Sequence, residues 1–225
     1  MMYADGTGVA QDYKQAARRI RLAAEQGNAR AQDDLGCLYA EGHGVTQDYK
    51  AAAKWFRYSA EQGNAGGQQN LAAAYASGWG VPQDYKEAVK WRTLAAAQGV
   101  SRAQWTLGKM YAVGRGVEQD LVKAAKLFRL AAEQGNADGQ ALLGISCYTG
   151  LGVPMDYVQA LMWCDLAVAG GSKQAVQCLA YATERLTADQ IAKARRLARE
   201  WKPRKPPGSV PASPALQDLK AGNRK

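Results

Sequence analysis

Residues able to do chemistry are few in this chain and poorly placed for it. The single histidine, His43, stands between two glycines in EGHGV, in a loop position of changing identity, and one imidazole makes no metal centre. The four cysteines, Cys37, Cys147, Cys164 and Cys178, include no C-x-x-C pair, so each reads as a small apolar packing residue, with one disulfide as the lesser alternative. Ser146, in GISCYTG, lacks the G-x-S-x-G frame of an activated nucleophile. Several G-x-G stretches occur, but none continues as G-x-G-x-x-G after a strand or as a G-K-[ST] phosphate loop. The adjacent carboxylates Asp33 and Asp34 read as the acidic opening of a surface helix, where they suit the helix dipole. We therefore expect a non-enzyme, with no catalytic residue, no cofactor and no metal.

What positions these residues is a repeat. Gly-Val recurs at 8–9, 44–45, 80–81, 116–117 and 152–153, an unbroken step of 36 residues. Leu35, Leu71, Leu107, Leu143 and Leu179 keep the same step, as do Gly27, Gly63, Gly99, Gly135 and Gly171. Within QDYKAAAKWFRYSAEQGNAGGQQNLAAAYASGWGV the apolar residues fall at helical spacing twice: Tyr49, Ala52, Ala53, Phe56 and Ala60, then Leu71, Ala74 and Tyr75. Asp48 is placed to cap the first helix, Gly63 to end it in a left-handed conformation, and Asn64 to start the second, which Gly78 stops. Small residues at Ala52, Ala88, Ala124 and Ala160, and at Gly36, Ala72, Gly108 and Gly144, mark close approach between helices. One hairpin cannot bury both faces, so its neighbours must stack on it.

The expected fold is all-α, an α/α superhelical solenoid of stacked helix-turn-helix repeats of 36 residues. Residues 1–8 read as the remnant of a preceding helix B. Residues 9–184 read as five hairpins, with helix A at about 12–26, 48–62, 84–98, 120–134 and 156–170. LTADQIAKARRLAREW follows as a closing helix at 187–201, with a Thr187/Gln190 capping box and a Leu186/Ile191 staple. Residues 202–225, rich in Pro, Ser, Gly and Lys, read as a disordered tail.

The run LGKMYAVGRGVEQDLVKAAKLFRLAAEQGNADGQ, with its counterparts over about residues 1–184, resembles the Sel-1-like repeat, a bacterial-type relative of the tetratricopeptide repeat. That resemblance implies an adaptor or scaffold that assembles other proteins and does no catalysis. Bacterial members are often exported or associated with the envelope. Some cysteine-rich relatives bind or hydrolyse β-lactams, but their regularly paired cysteines are missing here. Cys147 in the tyrosine column, Leu121 after the capping Asp and AGGSKQAV at 169–176 depart from the family pattern, the last as a terminal unit should.

A solenoid offers helix A along an extended concave face. Two helix-A columns are basic, Lys14/Lys50/Lys86 and Arg18/Lys54/Lys90/Lys126; four residues apart, they share one face. Charge of this sign would suit an acidic protein or peptide. Trp55, Trp91 and Trp163 repeat and read as core, whereas Trp79, Trp105 and Arg115 break their columns and read as contacts. The candidate partner-binding set is thus Lys54, Lys90, Lys126, Trp79, Trp105 and Arg115. Gln32, Gln68, Gln104 and Gln140 read as bonding backbone where helices meet.

Of the net charge of +9, residues 187–225 hold +7, ten Lys and Arg against three Asp and Glu. A nucleic acid or an anionic membrane is therefore an alternative partner for that end, weakened by the lack of interleaved aromatics. No signal segment opens the chain, which as it stands implies the cytoplasm. Yet MMYADGTGV aligns with the middle of a unit, which leads us to expect repeats upstream; an export signal there would make the protein periplasmic or secreted.

Overall fold

A computed structural model describes residues 7–204, with side chains from Tyr13 onward. It is helical throughout the described residues, without a strand. The chain divides into two compact units, the first ending at Leu94 and the second beginning at Ala95, inside one helix.

The first unit contains α1 (Thr7–Glu25), α2 (Ala29–Glu41), α3 (Tyr49–Glu61), α4 (Ala65–Ser77) and the body of α5 (Tyr85–Ala97). Helices A are α1, α3 and α5; helices B are α2 and α4. The cap chemistry read from sequence is present. The Asp48 carboxylate accepts from the amides of Lys50 and Ala51 at 2.9 and 3.0 Å, and the Asn64 side chain accepts from the Gly67 amide at 2.9 Å. Gly63 takes φ +83° between the two helices. Gly80 is required twice over: its φ is +71°, and a Cβ there would collide with the carbonyl of Tyr49 in the first turn of α3. The same contact seats Gly44 on the Tyr13 carbonyl and Gly152 on the Leu121 carbonyl.

α1 begins five residues before the expected start, so Gly8 and Val9 lie in helix and not in a loop.

The core of the first unit is built from the repeated columns. Leu35 and Leu71 are wholly buried, and Ala52, Phe56, Ala60, Ala72 and Trp91 form one cluster. Trp55 packs half-buried against Ala17, Ile20, Leu35 and Leu38. The tryptophan column thus joins α3 to α1 and α5 to α3.

The second unit contains α6 (Ser101–Val113), α7 (Leu121–Glu133), α8 (Ala137–Thr149), α9 (Tyr157–Ala169), α10 (Ala175–Glu184) and α11 (Ala188–Glu200). Leu107, Leu143 and Trp163 are buried; Leu179 is only half-buried in the last hairpin. α10 is short and, like α6, starts without a side-chain cap: Ser172 and Val100 stand where the other three units carry Asn. α11 packs against α9, opened by the Thr187/Gln190 capping box that the sequence indicates. The chain then turns back along this unit. Trp201 meets the Trp163 ring edge-on at 5.9 Å, the Arg204 amide donates to the Glu133 carbonyl at 2.7 Å, and the Arg204 guanidinium lies 3.7 Å from the Glu133 carboxylate. The expected disordered tail is therefore ordered as far as Arg204; its remainder, and residues 1–6 of the expected helix-B remnant, lie outside the described residues.

Two further expectations are corrected. Cys164 and Cys178 are joined in a disulfide between α9 and α10, with their Cα atoms 6.2 Å apart. The two cysteines occupy different repeat positions, and only the helix A to helix B packing of the last hairpin brings them together. Asp33 and Asp34 are not a solvated pair: Asp34 is buried and Asp33 sits between helices B, accepting from Asn70 Nδ2 at 2.8 Å. Burial pushes the Asp33 carboxyl up to about 6, and the neighbouring Asp34 adds to the rise, while the Asn70 hydrogen bond and Arg30 oppose it.

Candidate interaction surface

The outward face of helix A is defined by three columns spaced four residues apart, a little over one helical turn. In the first unit these are Lys14, Lys50 and Lys86; Arg18, Lys54 and Lys90; and Leu22, Tyr58 and Leu94. The cations of the first two columns are exposed. The third column is apolar and also open to solvent, Leu22 at 62%, Tyr58 at 40% and Leu94 at 44%. It went unnoticed in the sequence because large apolar residues of an amphipathic helix are assigned to its core side. Its 36-residue recurrence, four places after the basic column, is the signal that would have found it.

Local contacts hold this face in place. Lys54 Nζ lies 5.7 Å from the Tyr58 ring centroid, and Lys90 Nζ 5.4 Å from that of Trp91, with Glu87 3.3 Å away. Glu25 and Glu61 stand three residues beyond Leu22 and Tyr58, so positive charge is concentrated on the first two turns.

Trp79 does not belong to this face. It is 55% exposed on the loop after α4 and stacks on Tyr49 with centroids 5.7 Å apart. His43 makes the corresponding stack on Tyr13 at 5.0 Å, with Glu41 3.0 Å from its Nδ1. The variable loop column is thus a lid on the tyrosine column, a relation invisible in either column alone.

In the second unit Lys126 is exposed on α7, and Leu130, four residues on, is 48% exposed. Arg115 is exposed in the loop after α6. Trp105, expected to be an exposed anchor, is half-buried in α6, with Lys109 Nζ 5.5 Å from its ring centroid. The glutamine column does what its spacing indicates: Gln32, Gln68, Gln104 and Gln140 donate to the carbonyls of Ala24, Ala60, Ala96 and Ala132 at 3.2 to 3.4 Å.

Open depressions of about 720 and 840 Å³ recur at equivalent B–A loops, the first beside Arg21 and Tyr39, the second beside Tyr111 and Lys123. Each is lined by a cation held on a tyrosine, Arg21 Nη2 donating to Tyr39 at 2.6 Å and Lys123 Nζ 4.3 Å from the Tyr111 centroid. The Cys147 thiol is pushed up to about 11 by burial, which keeps it protonated and unreactive. Among the described residues no group of His, Cys, Asp or Glu is arranged to hold a metal ion, and no helix is long and apolar enough to cross a membrane.

Stacked helical hairpins with a constant 36-residue step define an α/α solenoid of short tandem repeats. The Sel1 repeat model matches residues 1–28, 29–64, 65–100, 101–136 and 137–172, and the chain belongs to the Sel1 repeat family. Each complete match runs from a helix B through the following helix A. Among solved structures, c5321, a protective antigen present in uropathogenic Escherichia coli strains and displaying an SLR fold, is 38% identical with a TM-score of 0.75. That match covers 88% of this chain and 44% of the other. A Sel1 repeat protein from Oxalobacter formigenes is 36% identical with a TM-score of 0.69, over 75% of this chain and 49% of the other. The chain thus spans less than half the length of either. No curated protein matches it. Sel1 repeat proteins are in general non-enzymatic scaffolds for protein interaction.

Proposed function

We propose that this chain is a non-catalytic scaffold that holds a protein or peptide partner on its helix-A face. The observation that carries this reading is the exposed basic column, Arg18, Lys54 and Lys90 in the first unit and Lys126 in the second, repeated at one helical position. Positive charge at fixed spacing favours an acidic segment of the partner. Trp79 and Arg115, exposed on the loops, are a second set of proposed contacts; Trp105, half-buried beneath Lys109, offers a partner less surface.

Affinity purification with the full chain as bait, from its source cells, tests the reading. The expected result is one reproducible protein whose recovery falls in a Lys54→Glu, Lys90→Glu double variant of unchanged circular dichroism. Equal recovery with both baits would remove the basic face from the reading. Turnover of a substrate by the purified chain would end the non-catalytic one.

A further inference from the structure

The apolar column beside the basic one calls for a partner of its own. An exposed row of Leu22, Tyr58 and Leu94 on three helices tied together by Trp55 and Trp91 is a solvation cost that a globular surface normally avoids. The same chain displays what such a face accepts. On α9 the three columns read Val158, Met162 and Leu166, all apolar, and there α11 packs against the helix. Met162 is only 7% exposed, and Val158 and Leu166 are half-buried. α11 is itself amphipathic: Ile191, Ala194, Leu197 and Ala198 are its less exposed residues, followed by half-buried Trp201 at its end, and Lys193, Arg195, Arg196 and Arg199 are exposed. A helix therefore seats on the helix-A face where that face is apolar throughout.

We infer that the helix-A face of the first unit docks an amphipathic helix whose apolar stripe covers Leu22, Tyr58 and Leu94 and whose flank facing Arg18, Lys54 and Lys90 is acidic. The inference rests on the scaffold reading and names the class of partner. The charge pattern selects the occupant. A second copy's α11 would bring arginines and lysines against Arg18, Lys54 and Lys90, and it is already seated on its own α9.

The test is fluorescence anisotropy of the full chain with three labelled helical peptides of about 14 residues. One carries leucines at helical spacing with glutamates on the flanks, the second has those glutamates replaced by lysines, and the third has the leucines replaced by serines. The first should bind about tenfold or more tightly than either of the others. Its affinity should fall about thirtyfold in Leu22→Ser with Tyr58→Ser, and about tenfold in Lys54→Glu with Lys90→Glu, with circular dichroism unchanged. Equal binding of the three peptides, or no response to Leu22→Ser with Tyr58→Ser, overturns the inference. Self-association of the chain that Leu22→Ser abolishes would reassign the face to a second copy. A natural partner still captured by the Leu22→Ser, Tyr58→Ser bait would leave the scaffold reading standing and remove this docking face alone.

Discussion

Helices α3 and α9 occupy the same place in the repeat, yet their outward faces are opposites. On α3 that face reads Lys50, Lys54, Tyr58 and is exposed; on α9, the helix against which α11 packs, it reads Val158, Met162, Leu166 and is buried or half-buried. The backbone position is shared, so the difference comes from what stands next to it. Where a neighbour excludes water, an unpaired cation would be costly and apolar residues replace it. Where solvent remains, lysine and arginine keep the row soluble while leaving one apolar column for something else to cover. Among the described residues, Met162 on α9 is covered and Lys54 on α3 is exposed.

The leucine column is buried alike in both regions, at Leu71 and at Leu143, and that equivalence can be broken first. Leu71→Ala and Leu143→Ala each empty a wholly buried site and should each cost about 2 to 5 kcal/mol in urea unfolding. A loss in one but not the other would mean the columns are not equivalent.

The closed end carries a covalent tie that the open end lacks. Replacing Cys164 and Cys178 together by alanine should cost about 3 kcal/mol, because the bond closes a loop with a sequence separation of 14. Mass spectrometry of thiol-blocked protein checks the pairing directly. Such bonds persist in oxidising compartments, so the thiol state in the source cell also reports where the chain folds.

The open end carries a pH dependence of its own. Asp33 has its carboxyl raised to about 6 by burial, so its protonated form suits the fold. The stability it contributes is full below the unfolded value near 3.8 and is lost as pH rises through about 6, a difference of about 3 kcal/mol. Asp33→Asn should raise the Tm at pH 7.5 and flatten its change between pH 4 and pH 7.5.

The smallest effects sharpen the outer faces. Met162→Lys gives α9 the residue type its counterparts carry and should cost about 2 kcal/mol while making α11 sensitive to protease, because the cation meets a covered site. The reverse exchange on an open face, Lys126→Met, should stay within about 0.5 kcal/mol.

Most of the fold was legible in the sequence because a solenoid repeats its local rules. Caps, turn glycines, helix lengths and the buried leucine column follow from short-range chemistry, and each recurs often enough to be recognised. The basic columns were legible for the same reason. The Cys164–Cys178 bond was not, since it depends on how two helices face each other. Nor was the burial of Asp33, which reads as a surface acid until α4 brings Asn70 against it. The exposed column of Leu22, Tyr58 and Leu94 was present in the repeat but ambiguous, because periodicity says that residues share a face and not which face is wet.

By itself, then, the sequence determined the repeat, the class of fold and the absence of any familiar catalytic frame, all of which rest on local spacing. Tertiary structure alone decided which helical face is covered, which acid is buried and which cysteines meet. Those depend on what packs against a residue, and the packing partner lies about 14 residues away in one case and about 37 in another.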